Sequence, residues 1–196
     1  MWIYNRAREI LLYPKTAWEK IREENDIRLL IIYPIALAVL PSLAVYLGYG
    51  MIGLRMGPVG YYRMSAVNAF YSALVAYFLT LIGIAALAFL IQVIANYFQS
   101  ECDLLKSSKL AVYAATAPLL ANVFQIIPGI RILNMLGLYG AYLLYTGIPK
   151  LARTPADKEQ ALIFSVIMAG IIMAVLIDFL TGQYIFGIVY SEVLTY

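Results

Sequence analysis

Few residues of this chain have side chains suited to catalysis or metal binding. Its 196 residues include no histidine and a single cysteine, Cys102. Ser-His-Asp and Cys-His nucleophilic sites are therefore excluded, and the usual ligand sets of zinc, haem and iron–sulfur centres are missing. Acid–base work would depend on Asp178 and tyrosines alone. We predict a non-enzymatic protein with no catalytic residue, metal or cofactor.

Polar residues inside otherwise apolar stretches form a first candidate site. They are Asn68, Asn122, Gln125, Asn134 and Asp178, and they come from four different apolar stretches. Polar groups within a membrane are costly and often functional. One interpretation is an outward-facing polar cavity that binds a small solute or cation around Asp178. The other is hydrogen bonding between helices, which contributes only about 0.6 kcal/mol per contact on average in membranes.

A second polar group lies at the cytoplasmic end of one long apolar stretch. Its members are Gln92, Asn96, Gln99 and Asp103. On a continuous helix these positions would share one face. We expect either a cytoplasmic partner surface or a solvated stripe where the helix leaves the membrane.

The composition indicates what kind of scaffold carries these residues. The chain is 63% hydrophobic and 13% charged, with a mean hydropathy of +0.82. Soluble domains average about 45–50% apolar and about 25% charged residues. The chain is therefore predicted to be an integral membrane protein. Its net charge of +3 is small and it has no long basic run, so nucleic acid is not an expected partner.

Charge-free stretches define the predicted membrane spans, since about 20 apolar residues suffice to cross. We predict an all-α, polytopic helical bundle over residues 27–182, with about five transmembrane helices. The spans are placed near 28–49, 66–97, 107–127, 131–149 and 159–180. Residues 183–196 are too few to cross again and are predicted to be an extracytoplasmic tail that lies along the far surface.

Residues 1–26 alternate apolar and charged positions at helical spacing, which predicts an amphipathic segment. Pro14 is expected to divide it into two short helices. Such a segment is predicted to lie in the plane of the membrane, with Trp2, Tyr13 and Trp18 as anchors at headgroup depth. The alternative is a helix packed on the protein's own cytoplasmic loops.

The distribution of basic residues predicts the orientation of the spans. With five spans and a cytoplasmic N-terminus, 11 of the 14 Lys and Arg residues are cytoplasmic; the other three are Arg55, Arg63 and Arg131. We expect a multi-pass protein of the plasma membrane with an extracytoplasmic C-terminus.

Several segments, taken in order, resemble a known family. They are YPKTAWEKI at 13–21, YAATAP at 113–118, IIPG at 126–129 and LYGAYLLYTG at 138–147. Together they resemble the Yip family of small integral membrane proteins, in its prokaryotic form. The resemblance implies five spans and a cytoplasmic N-terminus. It also implies a non-enzymatic, trafficking-type protein that organises membranes through lipids, itself or other membrane proteins.

Eukaryotic Yip proteins bind Rab-type GTPases, but this chain departs from them before the first span. Only about 26 residues precede that span, and they contain no acidic stretch of the Asp-Leu-Tyr-Gly-Pro type. The resemblance therefore gives no basis for expecting a GTPase partner. The alternative function is a small-solute or ion permease built around Asp178.

Overall fold

Helices make up nearly all of the chain that the structure describes. This computed structural model describes residues 2–24, 26–55, 61–126 and 128–194. The α-helices are α1 (Trp2–Leu12), α2 (Pro14–Glu23), α3 (Ile27–Leu37), α4 (Val39–Leu47), α5 (Ala66–Tyr97), α6 (Leu104–Ala114), α7 (Thr116–Ala121), α8 (Tyr139–Leu151) and α9 (Glu159–Leu194). A π-helix (Gly48–Ile52), two 3₁₀ helices (Asn122–Ile126 and Pro128–Leu138) and the short antiparallel strands β1 (Leu54–Arg55) and β2 (Tyr61–Tyr62) complete the described elements.

Among the described residues, three helical segments are long and apolar enough to cross a membrane: Ile27–Ile52, Ala66–Tyr97 and Glu159–Ser191. The second of these is α5, whose bounds coincide with the predicted span at 66–97. Its 32 residues give a length of about 48 Å at 1.5 Å per residue, against a hydrocarbon core of about 30 Å. The predicted class, an all-α membrane bundle, is confirmed.

Prolines divide two of the predicted spans into shorter helices. Proline cannot donate the backbone hydrogen bond to the residue four positions earlier. The break between α3 and α4 at Ala38 lies three residues before Pro41, and the break between α6 and α7 at Ala115 lies three residues before Pro118. The predicted third span, 107–127, is thus α6, α7 and a 3₁₀ helix, and Ile127 lies outside the described residues. The fourth, 131–149, is the second 3₁₀ helix and most of α8.

The broken segments nevertheless run beside the first long segment from end to end. α6 packs on α3, α7 contacts both α3 and α4, and the 3₁₀ helix Asn122–Ile126 packs on α4 and the π-helix. The second 3₁₀ helix then packs on the first and on α7, and α8 returns along α6. This arrangement supports a path of five crossings, which stays a prediction.

The last helix continues past the predicted end of the fifth span. α9 reaches Leu194, so residues 183–194 extend a helix and do not form the separate surface tail that we expected. Ile185 and Val189 are buried in a small apolar core with Val45 and Ala69, and this packing explains why the helix persists there. Residues 195 and 196 lie outside the described part of the chain.

The N-terminal segment folds into two helices, α1 and α2, joined next to Pro14. The apolar side chains Ile10, Trp18 and Ile21 have no exposed surface, because α1 packs on α7 and α2 packs on α8. The apolar face of the amphipathic pattern is therefore covered by the protein itself, but by helices of the predicted spans and not by the cytoplasmic loops that the second interpretation named. We call α1 and α2 together the N-terminal hairpin.

Candidate functional site

An open cavity of about 470 Å³ lies between α5, α7, α8, α9 and the 3₁₀ helix Pro128–Leu138. This volume is within the range of about 300–1,000 Å³ that is usual for ligand sites. Small and aliphatic residues make most of its wall, among them Gly83, Ile84, Leu87, Ala114, Gly140, Ala141, Leu144, Ile167, Gly170 and Ala174. The kink at Pro118 and the glycines of the opposing helix are part of this wall.

The cavity brings together three of the five residues of the first predicted polar group. Asn122, Asn134 and Asp178 line it, from the start of one 3₁₀ helix, the middle of the other and the middle of α9. Asn68 is not part of the lining, since it lies in the first turn of α5, where Ser65 Oγ accepts from its backbone N–H at 3.3 Å. Gln125 belongs to the first 3₁₀ helix, and its side chain lies outside the described part of the structure.

Polar atoms of the cavity are hydrogen-bond acceptors as well as donors. Asn134 Oδ1 is buried and has no hydrogen-bond partner within the described part of the chain. Asp178 is more than a third exposed and is the only charged residue among the described residues that line the cavity. Charged residues within transmembrane segments are costly, and they usually face a partner or a polar cavity. The cavity thus combines a mostly apolar wall with one carboxylate, two amides and the hydroxyl of Thr80, which donates to the carbonyl of Ala76.

The groups on the cavity wall are suited to binding a molecule that has both an apolar part and a polar part. The described residues contain no group of three His, Cys, Asp or Glu side chains that could hold a metal ion. General acid–base catalysis needs a group close to the reacting proton, usually with a second group in a complementary protonation state. The cavity wall as described offers one carboxylate for this, Asp178.

The second predicted polar group does not share a helix face, so that prediction is wrong. α5 ends at Tyr97, and Gln99 adopts a left-handed conformation with φ 59°. The backbone N–H of Ser100 donates to the carbonyl of Ala95, and that of Gln99 to Asn96, which is the Schellman pattern of a helix end. Gln92 and Asn96 remain on α5.

Gln99 and Asp103 instead make contacts that shape the connection from α5 to α6. Lys158 Nζ donates to Gln99 Oε1 at 2.6 Å, which joins this connection to the segment before α9. Asp103 caps α6, since its carboxylate accepts from the backbone N–H of Lys106 at 2.8 Å. Both residues therefore have structural partners.

Sequence reasoning missed a charged cluster that fixes the N-terminal hairpin to the bundle. Arg6 and Lys109 are both buried, with 6% and 4% exposure. Arg6 pairs with the Glu24 carboxylate and lies over the rings of Trp2 and Tyr113, 5.6 and 5.8 Å from their centroids. Lys109 donates to the carbonyls of Arg22 and Glu24. The one available signal was Lys109 itself, a cation within a predicted span.

The predicted membrane anchors differ in their surroundings. Trp18 is fully buried, so in this structure its ring fills space between α2, α6 and α8 and does not reach lipid headgroups. Trp2 is partly buried and packs edge-on against Tyr33, with centroids 6.0 Å apart. Tyr13 is 64% exposed. An anchor role for Trp2 and Tyr13 stays a prediction.

Cys102 lies in the connection from α5 to α6 and is 3% exposed. Burial raises the pKa of its thiol to about 11, because desolvation disfavours the thiolate. The thiol is therefore unreactive in the folded protein, since the thiolate is the nucleophile.

Comparison with known proteins identifies the family. The chain matches the Yip1 domain over residues 8–177, which covers most of its length, including the N-terminal hairpin from Arg8 onward and the cavity as far as Ile177. No curated protein and no solved structure matches it. The extent of the domain match, together with the apolar helical bundle, shows that this chain is a membrane protein of the Yip family.

Proposed function

We propose that this protein organises its membrane by binding membrane components, lipid or protein, inside the bilayer, without catalysing a reaction. The observation that carries the proposal is the open cavity between α5, α7, α8 and α9. Within a helical bundle that resides in lipid, a cavity whose wall is mostly apolar is filled by apolar groups, from lipid chains or from another protein.

The long apolar helices also present broad surfaces to such partners. In their most apolar 18-residue windows, only 28% of α5 and 17% of α9 is buried inside the chain. Gly170 and Ala174 of α9 are spaced four residues apart on the cavity wall, and small residues at this spacing allow close approach of another helix. Further copies of this chain or other membrane proteins are therefore included among the proposed partners.

The proposed setting is a multi-pass protein of the plasma membrane with five spans and a cytoplasmic N-terminus. The basic residues and the end-to-end packing of the broken spans support it. A permease, the alternative that the sequence left open, is not favoured by any particular contact around Asp178, and we do not propose it.

The proposal is tested by purifying the protein in polymer-bounded discs of its native membrane and quantifying the lipids and proteins that accompany it. Ala174→Phe places a ring in the cavity, and Gly182→Phe is its matched control, because a β-carbon at Gly182 meets nothing within 4 Å. We expect Ala174→Phe, and not Gly182→Phe, to lose specific co-purifying components. Equal sets of components in both variants and wild type would contradict the proposal.

A further inference from the structure

The cavity wall changes character along the helices that form it. On α9 the lining extends from Ile167 to Asp178, which is about 17 Å at 1.5 Å per residue. One end of this stretch is aliphatic, with Leu87, Leu144 and Ile167. The other end holds Asn122, Asn134 and Asp178. An elongated site with an apolar body and a polar end matches the shape of a lipid, one chain and its headgroup.

The polar end also specifies the charge of that headgroup. Asp178 contributes a negative charge, and Asn134 Oδ1 is a buried acceptor without a hydrogen-bond partner in the described part of the chain. A purely anionic headgroup would face the Asp178 carboxylate with the same sign of charge. A primary ammonium, by contrast, carries three N–H donors and would form charge-assisted hydrogen bonds. The amide N–H groups of the two asparagines can donate to a phosphate.

From these observations we infer that the cavity is a binding site for a phospholipid with a primary-amine headgroup, of the phosphatidylethanolamine class. The ammonium group lies at Asp178 and Asn134, and one acyl chain lies along α9 toward Ile167. This inference rests on the proposed function, because it names the membrane component that the cavity binds.

The hydrogen-bond donors of a lipid headgroup determine which phospholipid the site should prefer. The quaternary ammonium of phosphatidylcholine has no N–H and cannot donate to Asp178 or Asn134, although its acyl chains are the same. Phosphatidylglycerol brings hydroxyl donors but a net negative charge. The site should therefore prefer phosphatidylethanolamine over both, and Asp178 should be the main source of the preference.

The experiment measures lipid binding to the full chain by native mass spectrometry in detergent, with each of the three phospholipids carrying identical acyl chains. We expect phosphatidylethanolamine to bind about tenfold more tightly than phosphatidylcholine, as the loss of a hydrogen bond to a charged group predicts. Asp178→Asn should remove the preference while acyl-dependent binding persists. Asp157→Asn, which changes an exposed carboxylate in the turn before α9, should keep it.

The other results are equally decisive. Equal binding of the three lipids, or tighter binding of phosphatidylglycerol, by the wild-type chain would overturn the inference, and this comparison needs no variant to fold. The inference would also be overturned if the Asp178→Asn protein, shown to be helical and monodisperse, still preferred phosphatidylethanolamine. If Ala174→Phe releases lipids that show no headgroup preference, or releases a protein partner only, the inference fails and the proposed function stands. If Ala174→Phe behaves as Gly182→Phe in both experiments, both proposals fail.

Discussion

The indole ring of Trp18 lies directly against Gly147: a β-carbon built on Gly147 would be 2.6 Å from Trp18 Cε2 and 2.9 Å from Leu110 Cδ2. Trp18 is on α2, Gly147 on α8 and Leu110 on α6, so this contact joins the N-terminal hairpin to two helices of the bundle. The hairpin depends on a glycine to approach α8 so closely.

Gly147→Ala is therefore expected to destabilise the protein, although alanine favours helices over glycine. The added methyl group must displace a ring that is fully buried, and overpacking of this kind costs typically about 1–3 kcal/mol. Thermal unfolding in detergent, followed by circular dichroism, measures the effect as a lower midpoint.

Gly182→Ala is the matched control, since its β-carbon would occupy open space. The control should retain or slightly raise the midpoint, because glycine is less favourable than alanine in a helix by about 1 kcal/mol. Equal midpoints for the two variants would mean that the protein accommodates a methyl group between Gly147 and Trp18 without losing stability.

A second buried contact joins the first long segment to the kink at Pro118. Tyr33 Oη and Thr116 Oγ1 are 2.8 Å apart, and neither side chain has exposed surface. In a double-mutant cycle with Tyr33→Phe and Thr116→Val, we expect a coupling free energy of about 0.6 kcal/mol, the average for hydrogen bonds within membranes. Unfolding free energies of the four proteins measure it.

Each single change leaves the other hydroxyl buried without its partner, which usually costs about 1–3 kcal/mol. The double variant should therefore lose less stability than the sum of the single variants. Strict additivity would mean that the two hydroxyls do not interact.

Acid is expected to loosen the N-terminal hairpin from the bundle. A hydrogen bond from Lys150, at 2.7 Å, holds the pKa of Glu19 below its usual value of 4.5, and one from Lys20 does the same for Glu9. A carboxyl whose pKa is lower in the folded state stabilises that state above its unfolded pKa, and this contribution is lost as pH falls through the lowered value.

The hydrogen-exchange rate of the α2 amides, divided by the intrinsic rate at each pH, should thus be constant near neutral pH and rise below about pH 4.5. Glu19→Gln should exchange faster already at neutral pH and respond less to acid. Glu23→Gln is the control, since Glu23 is on the same helix and 78% exposed. A pH-independent rate in wild type would contradict the role of the pair.

Cys102 should resist thiol reagents as long as the protein is folded. Its burial and its pKa of about 11 leave very little thiolate at pH 8. Maleimide labelling, followed by mass spectrometry, should be slow in native protein and fast in denaturant. Thr16→Cys in a Cys102→Ser background provides an exposed thiol for comparison. Rapid native labelling of Cys102 would show that the connection from α5 to α6 opens.

The sequence predicted the long helices well, because an uninterrupted apolar run has few other ways to satisfy its backbone in a membrane. Breaks also occur at Ala38 and Ala115, each three residues before a proline, because a proline within a helix removes a backbone hydrogen bond. The span predicted at 66–97 ends where α5 ends, but the second polar group was placed on a helix that continues to Asp103. Gln99 interrupts that path with a left-handed conformation, which usually marks glycine. Periodicity alone continued the helix through it.

The N-terminal hairpin illustrates a different limit. An amphipathic pattern shows that one face is apolar but does not identify what covers that face. Either lipid or protein can cover the apolar face of the hairpin. Which of them does so depends on Gly147, more than 120 positions away in the sequence, because it lets the hairpin approach α8. The polar cavity was predicted in part, because polar residues in apolar stretches are conspicuous even when their partners are unknown. Asn68 is also a polar residue in an apolar stretch, but it does not line the cavity.

The last prediction concerns the number of crossings, and a single position decides it. If the segments α6–α7 and 128–151 both span the membrane, residue 131 is extracytoplasmic. If only the three long apolar helices span, residue 131 is on the same side as the N-terminus. In a Cys102→Ser background, Arg131→Cys should therefore react with a membrane-impermeant maleimide added to intact cells.

Arg63→Cys, in the exposed connection before α5, and Lys15→Cys, on the exposed face of α2, calibrate the two sides. We expect Arg63→Cys to label from outside and Lys15→Cys only after permeabilisation. If Arg131→Cys labels only after permeabilisation, as Lys15→Cys does, the spans would be reduced to three. The first 3₁₀ helix would then pack on α4 and the π-helix without crossing the membrane beside them. If Arg131→Cys labels from outside, as Arg63→Cys does, then a helix interrupted next to Pro118 crosses the membrane. The Ala114 carbonyl, which Pro118 leaves without its helical donor, would then face Gly140, where a β-carbon would be 3.0 Å from that oxygen.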